Sequence, residues 1–190
     1  MSEWWLLGNG PSLTDEQIHE AEKHTMVVCN DFWRHPEFET LDIDWYLVCD
    51  PLYGKEPRLS EIGRAYEDNP CQWMVYNPRP IYGERVMRVM VYDNKGPLHH
   101  DLREKIPLPA WSVIIDMGFP LALGNGATKI VVAGVDFDYM REHHFYEGAY
   151  DPEWRDYDAA MRRARQGTRS LAHYARDHGV EVEFRGGFRG

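Results

Sequence analysis

Short runs of consecutive apolar residues recur along the chain, each closed by small or polar residues: WWLL at 4–7, MVVC at 26–29, WYLVC at 45–49, WMVY at 73–76 and IVVA at 130–133. Runs this short, rich in β-branched and aromatic side chains and apolar at nearly every position, suit strands buried on both faces. The pattern predicts strands near 4–8, 25–29, 43–49, 72–76, 86–92, 128–134 and 180–184, and helices near 14–23, 57–67, 112–123 and 154–177. Strands that alternate with helices imply an α/β fold: a Rossmann-like open, mostly parallel sheet of about seven strands with helices on both faces. No repeat, low-complexity tract or linker divides residues 1–190, so a single α/β domain is expected. The segment from about 138 to 153 is irregular and long for a connection inside such a domain, and long loops are more often functional than structural.

The triplet Gly-Asn-Gly occurs twice, at 8–10 in WWLLGNGPSLTDEQ and at 124–126 in LALGNGATKIVV. The second lies between an apolar helix and a strand, where Gly124 would end the helix. The first follows a strand and precedes a helix, the context in which backbone N–H groups converge on an anion. It is neither a dinucleotide fingerprint, since Leu13 stands where GxGxxG needs its third glycine, nor a Walker loop, since no Gly-Lys-Ser/Thr follows. Thr14 to Gln17 also forms a capping box, so a turn that merely opens a helix competes with the anion reading on equal terms.

The next strands end comparably. TMVVCND closes on Asn30 and Asp31, DWYLVCDP on Asp50, and KIVVAGVDF on Gly134 and Asp136. Asn9, Asn30 and Asp50 are therefore spaced by about one strand and crossover each, which would bring them to the carboxyl edge of a parallel sheet, where α/β folds bind ligands. A polar strand end means little singly; four together favour a crevice. The balance of charge narrows its ligand: a net charge of −10 argues against a nucleic-acid polymer but not against a single nucleotide. At 43% hydrophobic and 27% charged the chain is globular. Cys29, Cys49 and Cys71 lack a CxxC pair and read as reduced thiols, with no zinc site. With no signal peptide and no stretch of membrane-spanning length, a cytoplasmic protein is expected.

These residues resemble the bacterial lipooligosaccharide sialyltransferases, which use a CMP-activated sugar. Members of that family open with a strand and GNGPSL, and their second strand ends in Cys-Asn, as Cys29-Asn30 does here. Their third ends in Asn-Pro, where this chain has Asp50-Pro51. A serine then starts an apolar helix ending Ala-Leu-Gly, and a strand ends Gly-Ile-Asp-Phe; Ser112, Ala122-Leu123-Gly124 and Gly134-Val135-Asp136-Phe137 match in order. Tyr157-Asp158 resembles the pair that opens the family's last helix. The likeness covers most of the chain except about 52–105. A more distant group, similar to the 6-hydroxymethylpterin diphosphokinases, shares the GPSL loop and an aspartate at the position of Asp50.

The resemblance implies that Asn9, Asn30, Asp50 and Ser112 contact a nucleotide, that Gly8, Gly10 and Ser12 bring backbone close to it, and that Gly134 and Asp136 complete the edge. It further implies inverting glycosyl transfer from a CMP-sugar without a metal, to a glycan or small-molecule acceptor. A histidine takes the acceptor proton and tyrosine hydroxyls stabilise the departing phosphate. In this chain His144 or His143 would be the base, with Glu153 at the aligned position, and Tyr139 and Tyr146 the phosphate partners; the family's first tyrosine aligns with Asp138. The alternatives are magnesium-dependent pyrophosphoryl transfer, with Asp50 and Asp136 holding the ion, and a silent nucleotide-binding module. No cofactor is firmly implied beyond these. Trp33, Trp111 and Trp154 are expected near the crevice, where they would stack a base or sugar. Exposed loop aromatics would suit a homo-oligomer contact.

Overall fold

The structure, a computed structural model, describes residues 2–49, 51–76, 83–89, 112–137 and 157–188. In chain order the elements are β1 (Glu3–Leu7), α1 (Asp15–Ala21), β2 (Thr25–Cys29), a 3-10 turn (Asn30–Arg34), β3 (Trp45–Val48), a second 3-10 turn (Pro51–Gly54), α2 (Arg58–Asp68), β4 (Gln72–Tyr76), β5 (Val86–Val89), α3 (Val113–Asp116), α4 (Gly118–Gly124), β6 (Lys129–Ala133), α5 (Tyr157–Asp177) and β7 (Glu181–Arg185). The strands form one seven-stranded sheet in the order β5-β4-β3-β2-β1-β6-β7. Every pairing is parallel, which bears out the Rossmann-like α/β expectation. No described helix is long and apolar enough to cross a membrane.

Side-chain alternation along each strand sorts the apolar residues onto two faces. Leu6, Val27, Leu47, Ile130 and Val132 meet α3, α4 and α5 through Ile115, Phe119 and Leu171. Trp5, Leu7, Val28, Tyr46, Trp73 and Val131 meet α1 and α2 through Ile18, Ile62 and Ala65. Both faces are therefore dry, and this is why the strands read as continuous apolar runs rather than as alternating ones.

The helix expected over 112–123 is two helices broken at Met117. Pro120 has no N–H to donate back to the Asp116 carbonyl, so one continuous helix would lose a rung there. The expected loop over 138–153 and residues 90–92 of the strand expected over 86–92 lie outside the described residues.

The chain adds β2 to β5 outward on one side of β1, then returns to place β6 and β7 on the other. The direction of winding thus reverses between β1 and β6. At that reversal the carboxyl ends of the strands diverge, opening the place where such sheets bind ligands.

Candidate functional site

The first Gly-Asn-Gly lies at this reversal, and its backbone runs against the end of β6. The Gly8 N–H donates to the Ala133 carbonyl at 2.8 Å and the Gly10 N–H to that of Gly134 at 2.7 Å. The next amide, Ser12 N–H, donates to Asp136 Oδ2 at 3.1 Å, while Asp136 Oδ1 accepts the Gly187 N–H at 3.1 Å. Contact this close leaves no room for side chains: a Cβ on Gly10 would stand 2.0 Å from Asp136 Oδ2. Gly134, at φ 64, combines a left-handed backbone with a virtual Cβ only 2.6 Å from the Gly8 carbonyl oxygen. The glycines thus let two loops touch, and the amides of Gly8, Gly10 and Ser12 are engaged within the protein. At the start of α1, Thr14 and Gln17 exchange the reciprocal bonds of a capping box. A ligand at this edge is accordingly left to side chains rather than to a cradle of N–H groups.

Two asparagines supply such side chains. Asn9 is buried, and its Nδ2 donates to the Cys29 carbonyl at 3.0 Å, fixing the end of β2 against the end of β1. Asn30 follows at φ 50, a left-handed conformation that asparagine tolerates better than most residues. The Tyr46 hydroxyl holds it there by donating to the Asn30 carbonyl, while itself accepting the Trp33 N–H at 3.0 Å. Burial pushes the Tyr46 hydroxyl well above the usual phenol range, so it stays a donor. Asn30 Oδ1 is buried with no donor among the described residues, and Ser12 Oγ is likewise without a partner there. Buried Asn69 offers a contrast: its Nδ2 donates to the carbonyls of Phe38 and Leu41 and its Oδ1 accepts the Cys71 N–H, so its role in the architecture is complete. Asn30 has no such satisfaction, and an orphaned buried acceptor has a desolvation cost that a ligand donor would relieve.

Ser112 opens α3 without capping it through its side chain; its N–H donates to Asp116 Oδ2 at 3.2 Å. The Ile114 backbone, two residues on, reaches the Cys29 thiol. This brings the start of α3 to the end of β2, in the neighbourhood of Asn9 and Asn30. The Cys29 thiol is pushed up to about 12 by burial, which rules it out as a nucleophile near neutral pH.

One component was not foreseen. The Asp31 carboxylate accepts from the Tyr53 hydroxyl at 2.6 Å and from Arg58 Nη1 at 2.6 and 2.5 Å. The clamp joins the turn after β2 to the turn after β3 and to the first residue of α2. Its signal in the sequence was Arg58 itself, because a cation in the first turn of a helix opposes the dipole and needs a separate reason to be there. The expected positions Asp50, Tyr139, His143, His144 and Tyr146, with Glu153, Trp111 and Trp154, lie outside the described residues. Among the described residues no cluster of three or more acidic, histidine or cysteine side chains could hold a metal ion. The structure therefore brings Gly8, Asn9, Gly10, Ser12, Asn30, Ser112, Gly134 and Asp136 to one edge, with the asparagines facing a different task from the glycines. Compared with known protein families, curated proteins and solved structures, the chain finds no match.

Proposed function

We propose that the chain binds a nucleotide at the carboxyl edge of its sheet, through Asn9, Asn30 and Ser112, and that the nucleotide is the cytidine monophosphate of an activated sugar. The observation that carries this reading is Asn30: a residue in a left-handed conformation, braced by Tyr46, whose buried Oδ1 has no donor among the described residues. Strained, over-determined backbone at a strand end is where binding residues concentrate. A cytosine amino group is a donor of the kind that oxygen requires. The identity of the nucleotide rests on the resemblance of GNGPSL, Cys29-Asn30 and GVDF to the sialyltransferases.

On this reading the reaction is glycosyl transfer. The bond from the sugar's anomeric carbon to the phosphate oxygen breaks, and a bond from that carbon to the acceptor hydroxyl oxygen forms. The acceptor proton passes to a base, for which the resemblance nominates His144 or His143. CMP leaves with the bonding pair, its charge met by hydroxyls such as those of Tyr139 and Tyr146. The magnesium-dependent alternative called on Asp136, whose two oxygens instead bridge Ser12 and Gly187.

Calorimetric titration with CMP, CDP, UMP, AMP and ATP, with and without magnesium, tests the proposal. It is run on the wild type and on Asn30→Gly, which keeps the left-handed backbone and removes the amide. Metal-independent CMP binding that the variant loses supports the cytidine site. Magnesium-dependent ATP binding shifts the reading to pyrophosphoryl transfer, and no nucleotide binding overturns it.

A further inference from the structure

A cleft of about 300 Å³ opens between the turn after β2 and one face of α2. Trp33, Phe38 and Glu39 line it from the segment after β2, and Glu61, Arg64 and Asp68 line it from successive turns of α2. The Arg34 guanidinium lies 4.8 Å from the centroid of the Trp33 ring, and its Nη2 stands 3.7 Å from Glu61 Oε2, so one side of the cleft is closed by a charged pair. The Trp33 indole N–H is buried without an acceptor among the described residues.

The chemistry of these groups narrows the occupant. The volume suits a single ring system and is too small for a whole nucleotide sugar. Three carboxylates, Glu39, Glu61 and Asp68, meet the guanidiniums of Arg64 and, at Glu61, Arg34, which leaves an excess of negative charge and disfavours an anion. A simple cation would answer the carboxylates but leave the indole N–H without an acceptor. A polyhydroxylated ring answers both, because each hydroxyl donates to a carboxylate and accepts from an N–H, while its C–H face lies on an aromatic ring.

We propose that this cleft is a binding site for one sugar ring. It adjoins the edge described above: Trp33 is three residues from Asn30, and the same Tyr46 hydroxyl bonds to both. Assigning the ring to the acceptor of the transfer rests on the proposed function; the site itself does not depend on it.

The test is a titration of the whole chain, without nucleotide, by methyl β-D-galactopyranoside and, separately, by spermidine, following the tryptophan indole N–H resonances by NMR. The Trp33 signal is identified by its loss in Trp33→Phe. The galactoside should shift that signal saturably, and Asp68→Asn, a surface change that leaves folding intact, should weaken the binding about tenfold, the loss expected for one charge-assisted hydrogen bond. An unmoved Trp33 signal overturns the proposal. So does a signal moved by spermidine alone, or galactoside binding in Asp68→Asn as strong as in the wild type. Sugar binding in a chain that ignores every nucleotide would leave this site standing and remove the transferase reading.

Discussion

Identical letters carry different constraints at the two Gly-Asn-Gly triplets. A methyl group at Gly10 would meet Asp136 Oδ2 at 2.0 Å and the Gly134 carbonyl at 2.7 Å, whereas at Gly124 it would meet nothing within 4 Å. Gly10→Ala should therefore destabilise the chain by about 1–3 kcal/mol, the usual cost of overpacking, while Gly124→Ala stays within about 1 kcal/mol of wild type. Urea unfolding of the two variants side by side checks this, and equal midpoints would refute the close approach of the loops after β1 and β6. The buried thiols give a second prediction. Burial pushes both Cys29 and Cys71 up to about 12, so their folded pKa lies above the ordinary thiol value of 9.0. The associated stability is complete below that ordinary value. It is lost as pH rises toward about 12, because the unfolded chain releases protons that the folded chain retains. The urea midpoint should fall from about pH 9 upward, and the Cys29→Ala/Cys71→Ala double variant should fall less steeply. Parallel slopes would show that these thiols ionise alike in both states.

Between elements, the Asp31–Tyr53–Arg58 clamp has the most to lose from a single change. With side-chain exposures of 11% for Asp31 and 23% for Arg58, the pair is largely withdrawn from water. Asp31→Ala removes the carboxylate that accepts from both the Tyr53 hydroxyl and Arg58, at a cost of about 2–3 kcal/mol, while Tyr53→Phe keeps the Asp31–Arg58 pair and should cost about 1 kcal/mol. Thermal unfolding of both variants measures the ranking; an Asp31→Ala loss no larger than that of Tyr53→Phe would mean the ion pair contributes little. The clamp also marks where sequence reading stopped. Periodicity located β2 and β4 to the residue and β1, β3 and β6 to within two at each end, because both faces of the sheet are buried and every strand announces itself. The break at Met117 was written in Pro120, one residue whose missing N–H is easily outweighed by the apolar run around it. Asn9 and Asn30 were legible as strand ends because one crossover separates them. The clamp was not: Arg58 stands out only as a cation in a first helical turn, and its partner is more than twenty residues away, where only the fold joins a turn after β3 to the turn after β2. The fate of the glycine amides was equally hidden: a strand–GNG–helix string reads alike whether its N–H groups meet an anion or the carbonyls of β6.

At the scale of the molecule, the two ends of the described chain converge on Asp136. Its carboxylate bridges the Ser12 amide, in the loop after the first strand, and the Gly187 amide, in the tail after the last. Phe188 seats that tail: it is buried, with its ring centroid 5.2 Å from that of Phe137 and 5.0 Å from that of Phe184, and the Arg169 guanidinium lies 5.5 Å from its own. Arg165 adds a donor from α5 to the carbonyl of Phe137, the residue whose ring Phe188 packs against, at 2.9 Å. The contacts of a parallel sheet are far apart in sequence, and this tail adds one that ties the first loop to the end of the last strand. Phe188→Ala should then cost about 3–5 kcal/mol through the lost apolar contacts, and Asp136→Asn should cost less, because it replaces one of two acceptors by a donor facing an N–H. Hydrogen exchange separates this linkage from general destabilisation. If the tail holds the loop, Phe188→Ala should speed exchange of the Ser12 amide beyond the change in global stability, while the amide of buried Val131, on a strand paired on both sides, tracks global unfolding. Ser12 and Val131 accelerating by the same factor would mean that the tail only adds burial and leaves the binding edge untouched.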